Sequence, residues 1–535
     1  MTPIRTDQTL YADPGAALEA CAARWPDTDA LVFPQGAGAP TLRRTFAQWR
    51  DEALRVAAGL HALGLRRGDP IAIWAENRIE WPVAQLAIAY LGAIMVPVNT
   101  HFRELDLAYV LEHSGAKAIF LSERFRTNEY LAMVTAQRAT LPKLRHVICF
   151  DAQPATAAIA FRDIATTDAT RFVPAKVGPR EVASIQYTSG TTGRPKGAAL
   201  CFEGIMMNAF GSVERLRAGP GDRWTSIIPL FHCAGCIMNV IGCLSSGAAY
   251  VGVPAFDPVR MFEVIEAERC TMLTGVPTSY LAMLQHPERV KFDLRSLRAG
   301  TCGGADCDPQ VMARCAAEFP IPGLVQVYGQ TEASTLISVD SIDDPERFAT
   351  SGHPIRGMEA RITDPQTREV LAPATLGQIE LRGKMITLGY HEQPEETAKT
   401  IDAEGWMQTG DLGYLTASGK IVVAGGRLRD MIIRGGENIY PVEIENLMRA
   451  HPSVAEIAVF GLPDEYYGEI VAAAVKLNSP ADAAGLQAFC TDKIARYKHP
   501  VRYFAVDSFP MTSSGKIKKR DLVQLAREGT LRVLP

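Results

Sequence analysis

What this 535-residue chain lacks narrows its reading at once. It has no Walker A loop. Counting from Gly190, the second glycine of G-x-x-x-x-G-K-[ST] would fall where Pro195 stands, and Lys196 is followed by Gly197 rather than Ser or Thr. A Walker A loop runs into a helix whose N-terminus holds phosphate, and Pro195 with Gly197 argues against an immediate helix. No G-x-G-x-x-G follows an apolar run, which weakens a dinucleotide-binding reading. Charge of one sign is not in excess either. With 55 Lys and Arg against 59 Asp and Glu, the net charge is −4, so neither nucleic acid nor an anionic membrane is expected as partner.

Long clean apolar runs are also missing. The longest, Trp81 to Val98, holds Gln85, Gly92, Pro82 and Pro97 and reads as a helix followed by a buried strand, not a membrane span. The start, Met1 to Arg5, lacks the apolar core of a signal peptide, and Arg532 to Pro535 is not a peroxisomal address, so a cytoplasmic location is expected. The eleven cysteines form no regular pattern, and an odd number suggests free thiols in a reducing compartment. Cys233 and Cys236 match C-x-x-C and could make a zinc site with Cys302 and Cys307. No second C-x-x-C exists, and the surroundings are apolar, so buried thiols are the better reading.

What is present begins with Tyr187 to Gly197, which follows the apolar run Val182 to Ile185. Thr188, Ser189, Gly190, Thr191, Thr192, Gly193 and Lys196 put hydroxyls, glycines and one lysine into a single loop. Glycines let a loop turn its N–H groups toward one point, and the hydroxyls and lysine add donors there. That is a polyphosphate cradle, expected between two strands; a plain Gly/Thr turn would rarely need so many donors.

The length requires at least two domains, and 47% hydrophobic with 21% charged residues fits an ordinary globular protein. Thr45 and Gln48 form a capping box ahead of Trp49, Val56, Leu60 and Leu63, with Gly64 as the stop. Ile71 to Trp74 reads as a buried strand, and similar alternation continues past residue 300, the pattern of α/β layers. Near residue 425 the texture changes. Ala424 to Asp430 is short, glycine-rich and charged, like a boundary that can bend. Beyond it the expected elements are a strand at Met431–Ile433, a helix opened by Pro441 and carrying Ile444, Leu447 and Met448, strands at Ile457–Phe460 and Ile470–Leu477, and a helix at Leu486–Ile494. Together they make a small α+β domain that ends in a basic loop, Ser513 to Arg520.

Other residues carry chemistry more weakly. Tyr328 in Gln326 to Glu332 offers a face for stacking a base, Thr331 a hydroxyl, and Glu332 a hard oxygen ligand for Mg²⁺ beside phosphates; a Tyr-Gly turn with a surface glutamate is the bland alternative. Asp411, after Thr409-Gly410, suits the two hydroxyls of a ribose, or is a turn aspartate. Cys302-Gly303-Gly304-Ala305 has small residues where something flat could lie, or is a tight turn. His232 and Lys516 read alone as a core histidine and a solvated lysine.

Taken together, these motifs stand in the order and spacing of a family. The chain resembles the acyl-CoA synthetase (AMP-forming) group of adenylate-forming enzymes, which share a fold with peptide-synthetase adenylation domains and firefly luciferase. The resemblance runs from about residue 45 to 525 and rests on Thr188–Gly197, Tyr328–Glu332, Gly405-Trp406 with Thr409–Asp411, Gly426-Arg427 through Gly435–Ile439, and Ser514–Lys516. It implies an α/β fold with a large N-terminal domain of stacked sheets and helices (1–426, acyl and ATP site), a hinge at 427–429 and a small mobile α+β domain (430–535). It implies ATP and Mg²⁺, with CoA as cosubstrate and a small carboxylic acid as substrate. The family first joins the acid to AMP with loss of diphosphate, then transfers the acyl group to the thiol of CoA.

By resemblance the 188–197 loop holds the outer phosphates, Thr331 contacts the α-phosphate, Glu332 binds Mg²⁺, and Lys516 bridges carboxylate and phosphate. Gly303, Gly304, Ala305, Tyr328, Gly329 and Gln330 flank the adenine side, and Asp411 and Arg427 bind ribose. Arg429 is the hinge residue, where many relatives carry Asp or Lys. Arg434, Gly435, Gly436, Glu437 and Lys498 are the expected CoA contacts. His232 is an aromatic gate between acyl pocket and tunnel, and Cys233, Met238, Val276, Cys302, Gly303 and Gln330 join it in the pocket. That lining has no Lys, Arg or Asp, so an apolar monocarboxylate is expected: medium-chain fatty, alicyclic or aromatic. Fatty acid metabolism is the corresponding setting, and a homodimer is open.

The chain departs from the family at Cys201-Phe202, where relatives often have Ser or Thr followed by His, and at Cys302, where Ser is common. Alternatives are an adenylating enzyme that loads a separate carrier protein, or a luciferase-like oxygenase. No Leu-Gly-Gly-x-Ser carrier site follows the small domain, and no extra segment stands between residues 332 and 429.

Overall fold

The structure, a computed structural model, describes residues 10–36, 39–151, 158–188, 195–304, 307–427, 430–434, 437–464, 466–491, 493–494, 496–512 and 517–535; for 425–427, 433, 437 and 438 only the backbone is described. The chain forms two compact units. Met1–Ala360 with Leu381–Met407 makes the first, and Arg361–Glu380 with Gln408–Pro535 the second.

The first unit is built on two large sheets. One has seven strands in the order Ile159–Ala160, His146–Cys149, Ala118–Leu121, Pro70–Trp74, Ile94–Pro97, Val182–Thr188, Lys196–Cys201. All neighbours are parallel except the last pair. The other has eight, in the order Thr335–Val339, Gly323–Gln330, Ala299–Gly303, Met272–Gly275, Arg223–Ser226, Ala249–Val251, Asp29–Phe33, Leu42–Thr45, with antiparallel pairs only at its two ends. Parallel strands are covered on both faces, so they read as unbroken apolar runs. Ala118–Leu121 and Met272–Gly275 are buried at every position, as is Pro70–Trp74 after its first residue.

The helices start and stop where local chemistry dictates. In Phe46–Ala62, the expected capping box is formed: Thr45 Oγ1 accepts from Gln48 N at 3.3 Å, and Gln48 Oε1 accepts from Thr45 N at 3.0 Å. The Trp81–Val98 run is indeed a helix, Glu80–Leu91, then a strand, Ile94–Pro97, with Gly92 turning between them at φ +67°. Among the described residues no helix is long and apolar enough to cross a membrane. Helix Phe202–Leu216 touches strands of both sheets. Its N-cap is Cys201, whose Sγ accepts from Gly204 N at 3.4 Å. The departure from Ser or Thr therefore keeps the cap, with sulfur as a weak acceptor in place of oxygen.

The second unit contains most of a four-stranded sheet, in the order Met358–Thr363, Gly377–Gly383, Met407–Leu415, Ile421–Arg427, and a six-stranded sheet around Gly468–Leu477. Ile432, Ile439, Ile444, Met448, Ile457, Val459, Val471 and Val475 form its core, as the α+β reading expects. The strand Ile421–Arg427, paired with Met407–Leu415, runs up to the expected hinge. One detail differs from that reading: the helix expected at 486–494 is Ala483–Cys490, because Asp482 Oδ1 accepts from Gly485 N at 2.7 Å and sets its start earlier.

Removing the Thr45 hydroxyl should expose the worth of the capping box. Thr45→Ala is expected to lower the opening free energy of helix Phe46–Ala62 by about 1 kcal/mol, read as roughly fivefold faster amide exchange in its first turn; unchanged exchange would contradict the cap.

Candidate functional site

Four adjacent strands of the eight-stranded sheet run parallel, and the expected site residues of the first unit sit at their carboxyl ends. His232 and Cys233 follow Arg223–Ser226, Val276 follows Met272–Gly275, Cys302 and Gly303 end Ala299–Gly303, and Gln330, Thr331 and Glu332 follow or end Gly323–Gln330. In parallel α/β sheets this edge is where ligands bind, because there the loops leave the sheet together and backbone N–H groups are not yet paired.

At this edge the side chains converge. Cys233 Sγ lies 3.6 Å from Thr331 Oγ1 and 3.8 Å from His232 Nδ1. Nδ1 also lies 3.1 Å from the backbone nitrogen of Ala234. Burial works to raise the Cys233 thiol, but His232, Thr335 and Thr331 outweigh it and hold the thiol below its ordinary value. Met238 lies one turn on, in the π-helical segment Ala234–Ile241, buried from Gly235 onward; π geometry is rare and collects at functional sites. Cys302 lies beside Gly275 and Gln326 in the sheet register, with its Sγ 3.6 Å from Cys307. Burial, then Cys307, pushes the Cys302 thiol well up, so it is a neutral wall group. Gly304 turns at φ +82°, and a Cβ there would lie 3.6 Å from Val276 Cγ1. Tyr328 is buried in its strand, opposite Ser338. A side chain at Gly329 would collide with the backbone of Thr335, so the strand pair requires glycine.

Thr331–Ala333 is a single 3₁₀ turn, followed by two residues at positive φ, Ser334 (+58°) and Thr335 (+118°). For a β-branched residue +118° is strained, and such strain persists only when the surroundings enforce it. Asn208 does so. From the buried interior of helix Phe202–Leu216, its amide nitrogen donates to Ala333 O (3.1 Å) and Leu336 O (2.8 Å), and its oxygen accepts from Leu336 N (3.1 Å). Ser334 Oγ adds a bond to Met385 O at 2.7 Å.

The phosphate-loop flanks are the antiparallel strands expected, with Thr188 opposite Lys196. Lys196 Nζ is 2.5 Å from Glu396 Oε2 and 5.0 Å from the Tyr390 ring centre. Hydrogen bonds from Lys196, then Lys399, pull the Glu396 carboxyl down to about 2. Behind the strands, His113 Nδ1 meets Tyr187 Oη at 2.8 Å, and Tyr109 Oη donates to Pro195 O at 3.1 Å. Segment 387–391 ties this hairpin to Glu332. Ala199 N donates to Gly389 O and His391 N to Gly197 O, while Thr387 N donates to Glu332 O at 2.7 Å. Glu332 is buried, and its Oε1 accepts from Tyr390 Oη at 2.9 Å.

In the second unit, Asp411 stands directly opposite Arg427 in the strand register, so the two ribose candidates are neighbours. Arg434 donates to Tyr497 O at 2.7 Å and lies 4.7 Å from the Tyr467 ring centre, while Lys498 is bound by both Glu443 oxygens at 2.7 Å. Ser189, Gly190, Thr191, Thr192, Gly193, Ala305, Arg429, Gly435, Gly436 and Lys516 lie outside the described residues, as do the side chains of Arg427 and Glu437.

All eleven cysteines are free and buried, and among the described residues no three His, Cys, Asp or Glu side chains cluster to hold a metal, so the zinc reading of Cys233 and Cys236 gains no support. One carboxylate with substrate phosphates is instead the donor set that suits Mg²⁺. Glu332 fits that role: one oxygen is fixed by Tyr390, and Oε2 accepts no hydrogen bond among the described residues.

Sequence reasoning missed Asn208, Tyr390 and Glu396. Asn208→Ala strips partners from two buried carbonyls and one N–H. We expect a loss of about 2–3 kcal/mol in stability and at least tenfold slower ATP–diphosphate exchange; exchange at the parent rate would show that the strained turn holds without it.

Residues 18–391 match the model of the AMP-binding enzyme family, and residues 443–516 that of the AMP-binding enzyme C-terminal domain. The chain is 33% identical over 535 residues to the medium-chain acyl-CoA ligase ACSF2, mitochondrial, of Danio rerio, covering 94% of this chain and 87% of that protein. It is 35% identical over 498 residues to the 3-[(3aS,4S,7aS)-7a-methyl-1,5-dioxo-octahydro-1H-inden-4-yl]propanoyl:CoA ligase of Rhodococcus jostii (strain RHA1), covering 90% and 93%. Among solved structures, the anthranilate CoA ligase AuaEII in complex with anthranoyl-AMP superposes with a TM-score of 0.86 at 26% identity, covering 98% of this chain and 99% of that one.

Proposed function

The chain belongs to the AMP-binding enzyme family, and on that premise we propose how its residues divide the work of an AMP-forming acyl-CoA ligase. ATP, a carboxylic acid and CoA become AMP, diphosphate and acyl-CoA by way of an acyl-adenylate, as in the ligases it is similar to. The observation that carries the assignment is the convergence of Thr331, Glu332, His232 and Cys233 at one sheet edge, beside the hairpin that bears Lys196.

In the first half-reaction a carboxylate attacks the α-phosphorus, and two anions must approach while negative charge builds on the phosphate oxygens. Fixed donors and positive charge lower that barrier. Thr188 to Gly193 and Lys196 take the outer phosphates, Thr331 the α-phosphate, and Lys516 the reacting carboxylate and phosphate together. Glu332 is the Mg²⁺ ligand, and the ion, when bound, offsets the charge of the departing diphosphate. Gly303 to Ala305 and Tyr328 to Gln330 border the adenine, with Asp411 and Arg427 on the ribose.

In the second half-reaction the CoA thiol attacks the acyl carbonyl, the new C–S bond forms, and AMP leaves. Arg434, Gly435, Gly436, Glu437 and Lys498 serve CoA, and the 430–535 domain turns about Arg429 between the two steps, with 1–426 as the other domain. His232 separates acyl pocket from thiol entry. The pocket residues Cys233, Met238, Val276, Cys302, Gly303 and Gln330 include no Lys, Arg, Asp or Glu, which favours an apolar monocarboxylate: medium-chain fatty, alicyclic or aromatic. The free thiols favour a cytoplasmic setting, and the chemistry is compatible with a homodimer without needing a residue from a second copy.

Two measurements test this. Diphosphate release across straight-chain and ring acids should peak on an apolar monocarboxylate and yield acyl-CoA only when CoA is present; release without thioester would favour a carrier-loading enzyme. Lys516→Ala should lose acyl-adenylate formation by at least a hundredfold, about 3 kcal/mol at this ratio, yet convert supplied acyl-adenylate to acyl-CoA. Normal adenylation by the variant would remove Lys516 from the mechanism.

A further inference from the structure

Among the described residues, four glutamates are buried: Glu268, Glu332, Glu380 and Glu445. Three are charge-paired. Glu268 takes Arg43 at 2.7 Å and Arg223 at 2.5 Å, Glu380 takes Arg361 at 2.7 Å and Arg368 at 3.0 Å, and Glu445 takes Lys519 at 2.7 Å. Glu332 differs: among the described residues its side chain has one partner, the neutral phenol of Tyr390, and no cationic side chain. A carboxylate kept at that depth on a single neutral donor is under-satisfied, and a cation arriving with a ligand relieves it.

Tyr390 is placed to control how that cation is met. Its hydroxyl takes Oε1, which fixes the carboxylate plane and leaves Oε2 as the available donor. A phenol is protonated at neutral pH, so it serves there as a hydrogen-bond donor. Its backbone bridges to Ala198 in the strand after the phosphate loop, and its N–H donates to Thr397 Oγ1 at 2.8 Å, so the residue cannot drift from the hairpin. Its ring lies 5.0 Å from the Lys196 ammonium, within cation–π range. One side chain thus meets both a candidate metal carboxylate and the lysine of the phosphate loop.

We propose that Tyr390 is a positioning residue for metal–nucleotide binding: its hydroxyl orients Glu332 so that Oε2 meets the divalent cation carried by ATP, and its ring holds Lys196 on the same side. The proposal rests on the reading of Glu332 as the metal ligand.

The test is binding of Mn²⁺·ATP, followed by the loss of the free Mn²⁺ paramagnetic resonance signal, with metal-free AMP binding as the contrast. Tyr390→Phe keeps the ring and removes only the hydroxyl. It should weaken Mn²⁺·ATP about ten- to a hundredfold, the factor of one hydrogen bond to a charged group, while AMP binding stays within about twofold. In the Glu332→Gln background the same change should add nothing, because both act through one carboxylate. Unchanged Mn²⁺·ATP binding in Tyr390→Phe, an equal loss of AMP binding, or losses that multiply in the double variant would each overturn the proposal. If Glu332→Gln alone leaves Mn²⁺·ATP binding intact, the metal-ligand reading falls first and takes the proposal with it.

Discussion

Parallel strands cannot end in isolation. Each must be reached by a crossover, and each leaves its last backbone groups at the same edge as its neighbours. The strands Arg223–Ser226, Met272–Gly275, Ala299–Gly303 and Gly323–Gln330 obey this in register, and the rest of the candidate site depends on it. Residues separated by up to a hundred positions, His232 and Glu332, belong to one edge because their strands must pair in parallel. The candidate site residues are therefore brought together by the sheet, and the loops only aim them.

Aiming needs polar groups in the interior, and these are where the stability cost is concentrated. Asn208 is buried completely and is acceptable there because all its amide capacity toward the Ala333–Leu336 turn is used. Thr335 keeps a backbone angle that no strand would choose for it. The two facts are connected: a strained turn persists when a buried clamp makes every relaxed alternative lose hydrogen bonds.

Much of this was legible in the sequence. The capping box at Thr45, the apolar runs of the parallel strands, the hairpin around the phosphate loop and the core of the second unit all follow from local pattern, because each depends on neighbours within a few residues. The family followed from motifs in fixed order. What escaped depends on contacts distant in the chain. Nothing near Asn208 distinguishes it from any polar residue in a helix, since its partners lie about 125 to 128 positions away. Tyr390 sits in an ordinary Gly-Tyr step, and only the fold brings it to Glu332. Glu396 stands in the first turn of helix Pro394–Thr400, and only the fold brings Lys196 to it. Cys201 was noticed as a departure, but its use as a cap needed the geometry of the first helical turn. Helix Ala483–Cys490 begins before its apolar pattern does, because the Asp482 cap sets the start.

The pairing of Lys196 with Glu396 has a consequence for turnover. A lysine waiting in solvent would greet a polyphosphate with its full charge and would also hold on to it. Here an incoming anion must exchange places with a carboxylate already in contact, so the net gain is the difference between two similar attractions. The same exchange runs in reverse after bond cleavage. On the proposed reading of Lys196, Glu396 competes with diphosphate for the lysine, so a lysine already paired releases a polyphosphate more readily than a free one would, and this rivalry lies apart from the contacts proposed at the reacting phosphorus.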